Sequence, residues 1–309
     1  MLNSNNSREE NTNKAQYNRV TDNPSKKKKH TDVVVYLAQF GEYHSSYGFQ
    51  LNADKESITG LSKLNKSLEL LYSNYINHFP SCDVVIFYDK QHGPDNQTMA
   101  ELHRHRPQLK FRELKGKWWN LPHGLKPIDR YKWNRPAFSI GYRHMIRWFA
   151  ILIWPYLAGE GYTHVMRMDD DSYLHSEIKY NLFEYMRDSG KKYGFRMPVL
   201  EEAVGNGYNE IIDSFLKVNP TSTSQDLIDT YLKERYVGFY NNWFIAEISF
   251  FLTPPASLLL DVIDQTDIIY TQRTGDLVIH STVVRLFLEP GQIQYFRDFT
   301  YEHSEYHLV

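Results

Sequence analysis

The chain has 309 residues, enough for one large domain or two small ones, and its 41% hydrophobic and 23% charged residues exclude bulk disorder. Lys and Arg number 35 against 37 Asp and Glu, a formal charge of -2, so no global basic field exists to hold nucleic acid through its phosphates. The single cysteine, Cys82, excludes an intramolecular disulfide and any cysteine-based zinc site and suits a reducing compartment.

Residues 1–30 are rich in Asn, Ser and Lys, end in the run Lys26-Lys27-Lys28-Lys29-His30, and read as a disordered polar and basic tail. They contain no apolar leader or anchor. The body from residue 31 is consequently acidic, with 28 basic and 34 acidic residues. Its longest apolar run, Trp148 to Gly159, contains Pro155 and falls short of the roughly 20 residues that span a bilayer. The expectation is a soluble, cytoplasmic protein.

From residue 32 the pattern becomes that of an α/β sheet. Asp32 to Gln39 (DVVVYLAQ) and Asp83 to Asp89 (DVVIFYD) are continuous apolar runs, the mark of strands buried on both faces. Between them, residues 60–78 place Leu64, Leu68, Leu71 and Tyr75 at helical spacing, so the unit is βαβ. A short helix near 97–105 and the strand Leu109 to Leu114 repeat the alternation, and ligands in such sheets sit beyond the C-terminal ends of the strands. Residues 115–136 lack periodicity and predict a long functional loop, in which Trp118, Trp119 and Trp133 either stack on a sugar or base or pack into the core. A buried helix over 138–154 follows, then a strand over 162–168 running into Asp169-Asp170-Asp171. Further helices are predicted at 181–189, 208–217, 224–235 and 255–264, and a β-rich stretch at 243–252. A helix beginning near His280 and a last strand at 292–296 complete the pattern.

Three adjacent carboxylates at the end of a buried strand repel one another and are tolerated best beside a cation. In an extended segment Asp169 and Asp171 point to one side, where they would hold Mg²⁺ or Mn²⁺ against a nucleotide's phosphates; the alternative is an acidic turn. His280 would complete a mixed carboxylate and imidazole site that suits Mn²⁺, or is structural. Asp276 caps a helix or accepts a substrate hydroxyl. Arg143 and Arg147, four residues apart, share a helical face and either clamp a diphosphate or pair with neighbouring helices. Glu247 is an acid in an otherwise apolar strand, a functional candidate because burying it unpaired costs several kcal/mol.

Taken in order, several motifs resemble glycosyltransferase family 15, the fungal α-1,2-mannosyltransferases with a GT-A fold. They are Tyr142-Arg-His-Met-Ile-Arg147, Met166-Arg-Met-Asp-Asp-Asp171, Tyr193-Gly-Phe195, Asn242 to Phe251 (NWFIAEISFF), Gly275-Asp-Leu-Val-Ile-His-Ser281 and Gln292 to Asp298 (QIQYFRD). The resemblance implies an α/β GT-A domain over 31–309, with a nucleotide-binding half at 31–130 and a metal and acceptor half at 131–309. It implies a retaining transfer of mannose from GDP-mannose to a hydroxyl of a glycan acceptor, with Mn²⁺ or Mg²⁺ held by Asp169, Asp171 and His280. Asp171, Arg147 and Asp276 would face the donor, and Tyr142 and Arg143 the donor phosphate and acceptor. Phe244 stands where the family has the Glu proposed as nucleophile, and Glu247 where it has Asp. Either Glu247 reaches the anomeric carbon through a bulge, or leaving-group departure is stabilised by metal and arginines. Without an anchor or lumenal cysteines, the chain is expected to build glycans outside the secretory route, for instance as a virus-encoded enzyme. The rivals are a non-catalytic glycan-binding protein on the same scaffold, a transferase of another nucleotide sugar, and a nucleotidyltransferase.

Overall fold

Seven strands form the central sheet in the order β10-β6-β9-β4-β1-β2-β3. The computed structural model describes residues 31–40, 60–200, 211–213, 215–216, 237–303 and 306–307. The sheet comprises β1 (Asp32–Leu37), β2 (Cys82–Asp89), β3 (Leu109–Leu114), β4 (His164–Met168), β6 (Tyr193–Phe195), β9 (Trp243–Glu247) and β10 (Ile293–Tyr295). Two small ladders stand beside it. One joins β5 (Ser172–Leu174), β11 (Tyr301–His303) and β12 (Tyr306–His307); the other pairs β7 (Pro198–Leu200) with β8 (Val237–Phe239).

The apolar runs of β1 and β2 are buried because helices cover both faces. Val33, Val35, Val85 and Phe87 join one core layer, while Val34, Tyr36, Val84 and Ile86 join the other, as a period of two requires. The helix Gly60–Leu71 seats Leu64, Leu68 and Leu71 on the second layer and runs on into a wider turn at Tyr72–Ile76. On the first layer, the apolar segment after Arg147 passes through a similar wide turn, Trp148–Leu152, into the helix Ile153–Gly159. Trp148 and Trp154 are completely buried there.

Strand β9 runs antiparallel to both β4 and β6, whereas β1, β2 and β3 run parallel to β4. This single reversal decides what reaches the functional edge. Trp243 pairs with Met168 at the C-terminal end of β4, and Glu247 pairs with His164 at its start. Five residues of strand at about 3.3 Å each separate the two ends.

Most predicted elements are present within a few residues. The stretch 243–252 is only half strand: after Glu247 the chain turns into the helix Ile248–Leu252. The helix expected near His280 begins at Asp276, one turn earlier. The predicted helix at 224–235 and half of that at 208–217 lie outside the described residues, although 211–213 and 215–216 are helical.

Candidate active site

The Asp triplet is a turn. After β4 the ladder continues for one bond, Asp169 N–H to the Asn242 carbonyl at 3.1 Å, and then Ser172 N–H closes onto the Asp169 carbonyl at 3.0 Å and starts β5. Period-two alternation therefore does not apply, and the carboxylates diverge onto different partners. Arg167, from the body of β4, donates to Asp169 at 2.8 Å through Nε and 3.3 Å through Nη2, and its Nη1 donates to Asp276 Oδ2 at 2.6 Å. Asn241 donates to the same Asp276 oxygen at 3.0 Å. Lys63 Nζ reaches Asp171 Oδ2 at 3.3 Å.

A third strand brings in a residue that the sequence motifs did not point to. β11 pairs antiparallel with β5, and the register His303↔Ser172 sets His303 beside the turn. Its Nε2 lies 3.1 Å from Asp171 Oδ1, and its Nδ1 meets the Tyr240 hydroxyl at 3.1 Å. A hydroxyl both donates and accepts, so Tyr240 supports either ring tautomer, including the one that leaves Nε2 open to a metal.

His280 does the reverse. It lies four residues into the helix Asp276–Phe287 from Asp276, about one 5.4 Å turn deeper, and is completely buried. Its Nε2 donates to the Phe149 carbonyl at 3.0 Å, and Phe244, Trp154, Phe251 and Tyr193 enclose the ring, with centroids 5.1–6.1 Å away. Burial lowers its pKa to about 4, so the ring is neutral. The structure places this histidine, expected to hold the metal, within the core, with its Nε2 on a main-chain carbonyl.

The two arginines expected to clamp a diphosphate are engaged within the protein. Arg143 is fully buried and spends its guanidinium on main-chain carbonyls, with Nη1 on Tyr270 at 2.5 Å and Nη2 on Asn134 and Arg135 at 2.8 and 2.9 Å. Arg147 forms a two-pronged pair with Asp264 at 2.6 and 2.8 Å. Both tie the helix Ile140–Arg147 and the long loop to the segment around residues 264–270. Tyr142 stays half-buried, its hydroxyl accepting from Arg273 at 2.6 Å. Trp133 packs against Tyr270, and Trp118 against Tyr156 and Trp148, so the core reading holds for these two rings. Glu247 is half-buried at the opposite edge of the sheet, bonded to the Ser249 hydroxyl. It remains in regular pairing with His164, so no bulge equates it with Phe244.

The chemistry of the donor set fits a divalent cation. Asp169, Asp170, Asp171 and Asp276 bring four carboxylates to this edge, where Arg167, Lys63 and His303 lie against them. Burial, and then the flanking Asp171 and Asp169, push Asp170 up to about 8, the mark of a site short of positive charge. Burial likewise raises Asp169 despite its arginine partner. Among the described residues no three His, Cys, Asp or Glu side chains converge on one point.

The family model described as glycolipid 2-alpha-mannosyltransferase matches residues 2–308. The chain belongs to this family. Among its relatives, glycolipid 2-alpha-mannosyltransferase 2 of Candida albicans is 32% identical over 214 residues, 64% of this chain and 46% of that protein. Alpha-1,2 mannosyltransferase KTR1 of Saccharomyces cerevisiae is 29% identical over 176 residues, 55% of this chain and 45% of that one. The chain thus spans about half the length of the curated relatives it matches. The crystal structure of core-mannan synthase A (CmsA/Ktr4) from Aspergillus fumigatus, in its Mn/GDP form, has a TM-score of 0.74 at 16% identity, covering 90% of this chain and 75% of that one. The Ktr4p mannosyltransferase of S. cerevisiae has a TM-score of 0.72 at 17% identity, covering 89% and 71%. The GT-A fold expected of the glycolipid mannosyltransferase family is the fold found.

Proposed function

We propose that this family member transfers mannose from GDP-mannose to a hydroxyl of a glycan acceptor, with Mn²⁺ at the acidic turn. The observation that carries the reading is the Asp171–His303 pair at the C-terminal edge of the sheet, in the turn that also carries Asp169, where α/β proteins bind nucleotides. Asp171 and His303 would hold the ion, with Asp169 two residues away in the same turn, while His280 would stay in the core. When bound, the cation neutralises the diphosphate leaving group.

The other residues orient this site. Arg167 fixes Asp169 and Asp276 with one buried guanidinium, so both carboxylates keep their direction as substrate arrives. Tyr240 sets the His303 ring, and Lys63 holds the other Asp171 oxygen. Asp276 accepts Arg167 and Asn241 on the same oxygen, Oδ2, and sits in the first turn of its helix, where negative charge is favoured. We assign Asp276 to a sugar hydroxyl.

Phe244 pairs with Arg167 in the sheet and is completely buried among Tyr193, Trp154 and His280. With no carboxylate at that position, and Glu247 at the far edge, the reading here is retention through stabilised departure of the leaving group and attack from the same face, without a covalent enzyme intermediate. The same phenylalanine favours a second reading, a GT-A scaffold that binds glycan without turnover.

Thermal unfolding with nucleotides and metal tests the proposal. GDP with Mn²⁺ should raise the melting temperature where either alone does little, because only the pair completes the shell. Selective stabilisation by a UDP-sugar would overturn the donor. Slow release of mannose from GDP-mannose would exclude the non-catalytic reading.

No helix among the described residues is long and apolar enough to cross a membrane. Cys82 is buried and unpaired, its thiol pushed well up by burial and so unreactive.

A further inference from the structure

The two most exposed large apolar side chains among the described residues stand side by side. Ile128 is 67% and Tyr131 68% exposed; the other two exposed ones, Leu258 and Leu252, reach 40% and 38%. Both belong to the 3-10 turn Pro127–Lys132, in which residues three apart eclipse one another, so they share one face. Their exposure does not come from a loose segment. Leu125 and Trp133, on either side, pack into the core, the Asp129 carboxylate accepts from the Lys126 N–H at 3.0 Å, and Asn134 N–H bonds the Thr271 carbonyl at 2.8 Å. A turn held this firmly keeps two apolar side chains in water.

Positive charge surrounds them. Residues 115–135 hold six Lys and Arg against one acid, Asp129, in a body that is otherwise acidic. Lys126 and Lys132 are exposed at the two ends of the turn, and the Arg130 guanidinium lies 5.2 Å from the Tyr131 ring centroid. An aliphatic and a tyrosyl side chain ringed by cations match the interface of an anionic bilayer, where apolar groups enter the acyl boundary and basic ones stay with the headgroups. A soluble polyanion would use the lysines and leave Ile128 without a role.

The position is informative as well. The loop leaves β3 at Leu114, and β3 runs parallel to β4 through β2 and β1, so the loop starts from the same sheet edge as the Asp169 turn. We propose that the turn Pro127–Lys132 docks this protein on anionic membrane surfaces.

Flotation of the full chain with vesicles tests this independently of the activity. Vesicles of phosphatidylcholine with a quarter phosphatidylserine should carry the protein, pure phosphatidylcholine vesicles should not, and raised salt should release it. Binding should fall about tenfold or more in Lys126→Glu/Lys132→Glu, and also in Ile128→Ser/Tyr131→Ser, with melting temperatures unchanged. Binding that survives both double substitutions would overturn the proposal and assign it to the Lys26–Lys29 run. Capture by a soluble polyphosphate, with no vesicle binding, would overturn it in favour of an anionic polymer. Loss in the charge variant but not in Ile128→Ser/Tyr131→Ser would overturn insertion of the apolar pair.

Discussion

His303 Nε2 and Asp171 Oδ1 lie 3.1 Å apart although 132 residues separate them in the chain. The contact exists because β11 returns to pair with β5, the short strand that leaves the acidic turn. It distinguishes the two histidines that could serve a metal. His303→Ala should raise the Mn²⁺ concentration needed for GDP binding about tenfold or more, the usual scale for a lost ligand or its support. His280→Phe should leave that concentration unchanged. Titration of GDP binding against Mn²⁺ in both variants checks the pair.

His280→Phe should instead weaken the fold. It removes the donor to the buried Phe149 carbonyl, a loss of about 1–3 kcal/mol. Urea unfolding at neutral pH measures it.

Acid should destabilise the protein through the same ring. Burial holds His280 and His144 at about 4, while in the unfolded chain both return to the ordinary value near 6.5. The unfolded state therefore binds protons first as pH falls. Stability is full above 6.5 and is lost as pH drops towards 4, by up to about 3 kcal/mol for each ring. Unfolding free energies across that window should slope less in His280→Phe than in the parent.

Glu247→Gln should change kcat less than about twofold, because the residue sits at the far end of β9 from the acidic turn. Asp276→Asn should cut kcat/KM by about a hundredfold or more, the scale of a charge-assisted bond to substrate. A reversed ranking would return Glu247 to the chemistry.

Arg143→Lys should reduce the yield of folded protein and lower stability by about 3 kcal/mol or more, since a lysine cannot serve carbonyls of residues 134, 135 and 270 together. Nucleotide affinity of the folded fraction should stay at the parental value.

The sheet was legible because its strands announce themselves locally: the apolar runs of β1 and β2 and the helical spacing between them need no knowledge of their partners. The Asp triplet stood out for the same reason, but its geometry did not: an extended segment was expected and a turn is found. The direction of β9 was not. NWFIAEISFF reads the same whether it pairs parallel or antiparallel, yet that direction alone sends Glu247 away from Asp169. Arg143 and His280 look functional in sequence because polar residues in apolar surroundings attract attention; tertiary contacts with main-chain carbonyls account for both. His303 carries no local signal beyond its own identity, and only the β5–β11 ladder gives it a role.

The most direct test is anomalous diffraction at the manganese edge from crystals of the full chain grown with Mn²⁺ and GDP. The account predicts one strong peak at the turn after β4, within coordination distance of an Asp169 or Asp171 carboxylate and of His303 Nε2. A peak beside His280, or GDP bound without any peak at that turn, would contradict it.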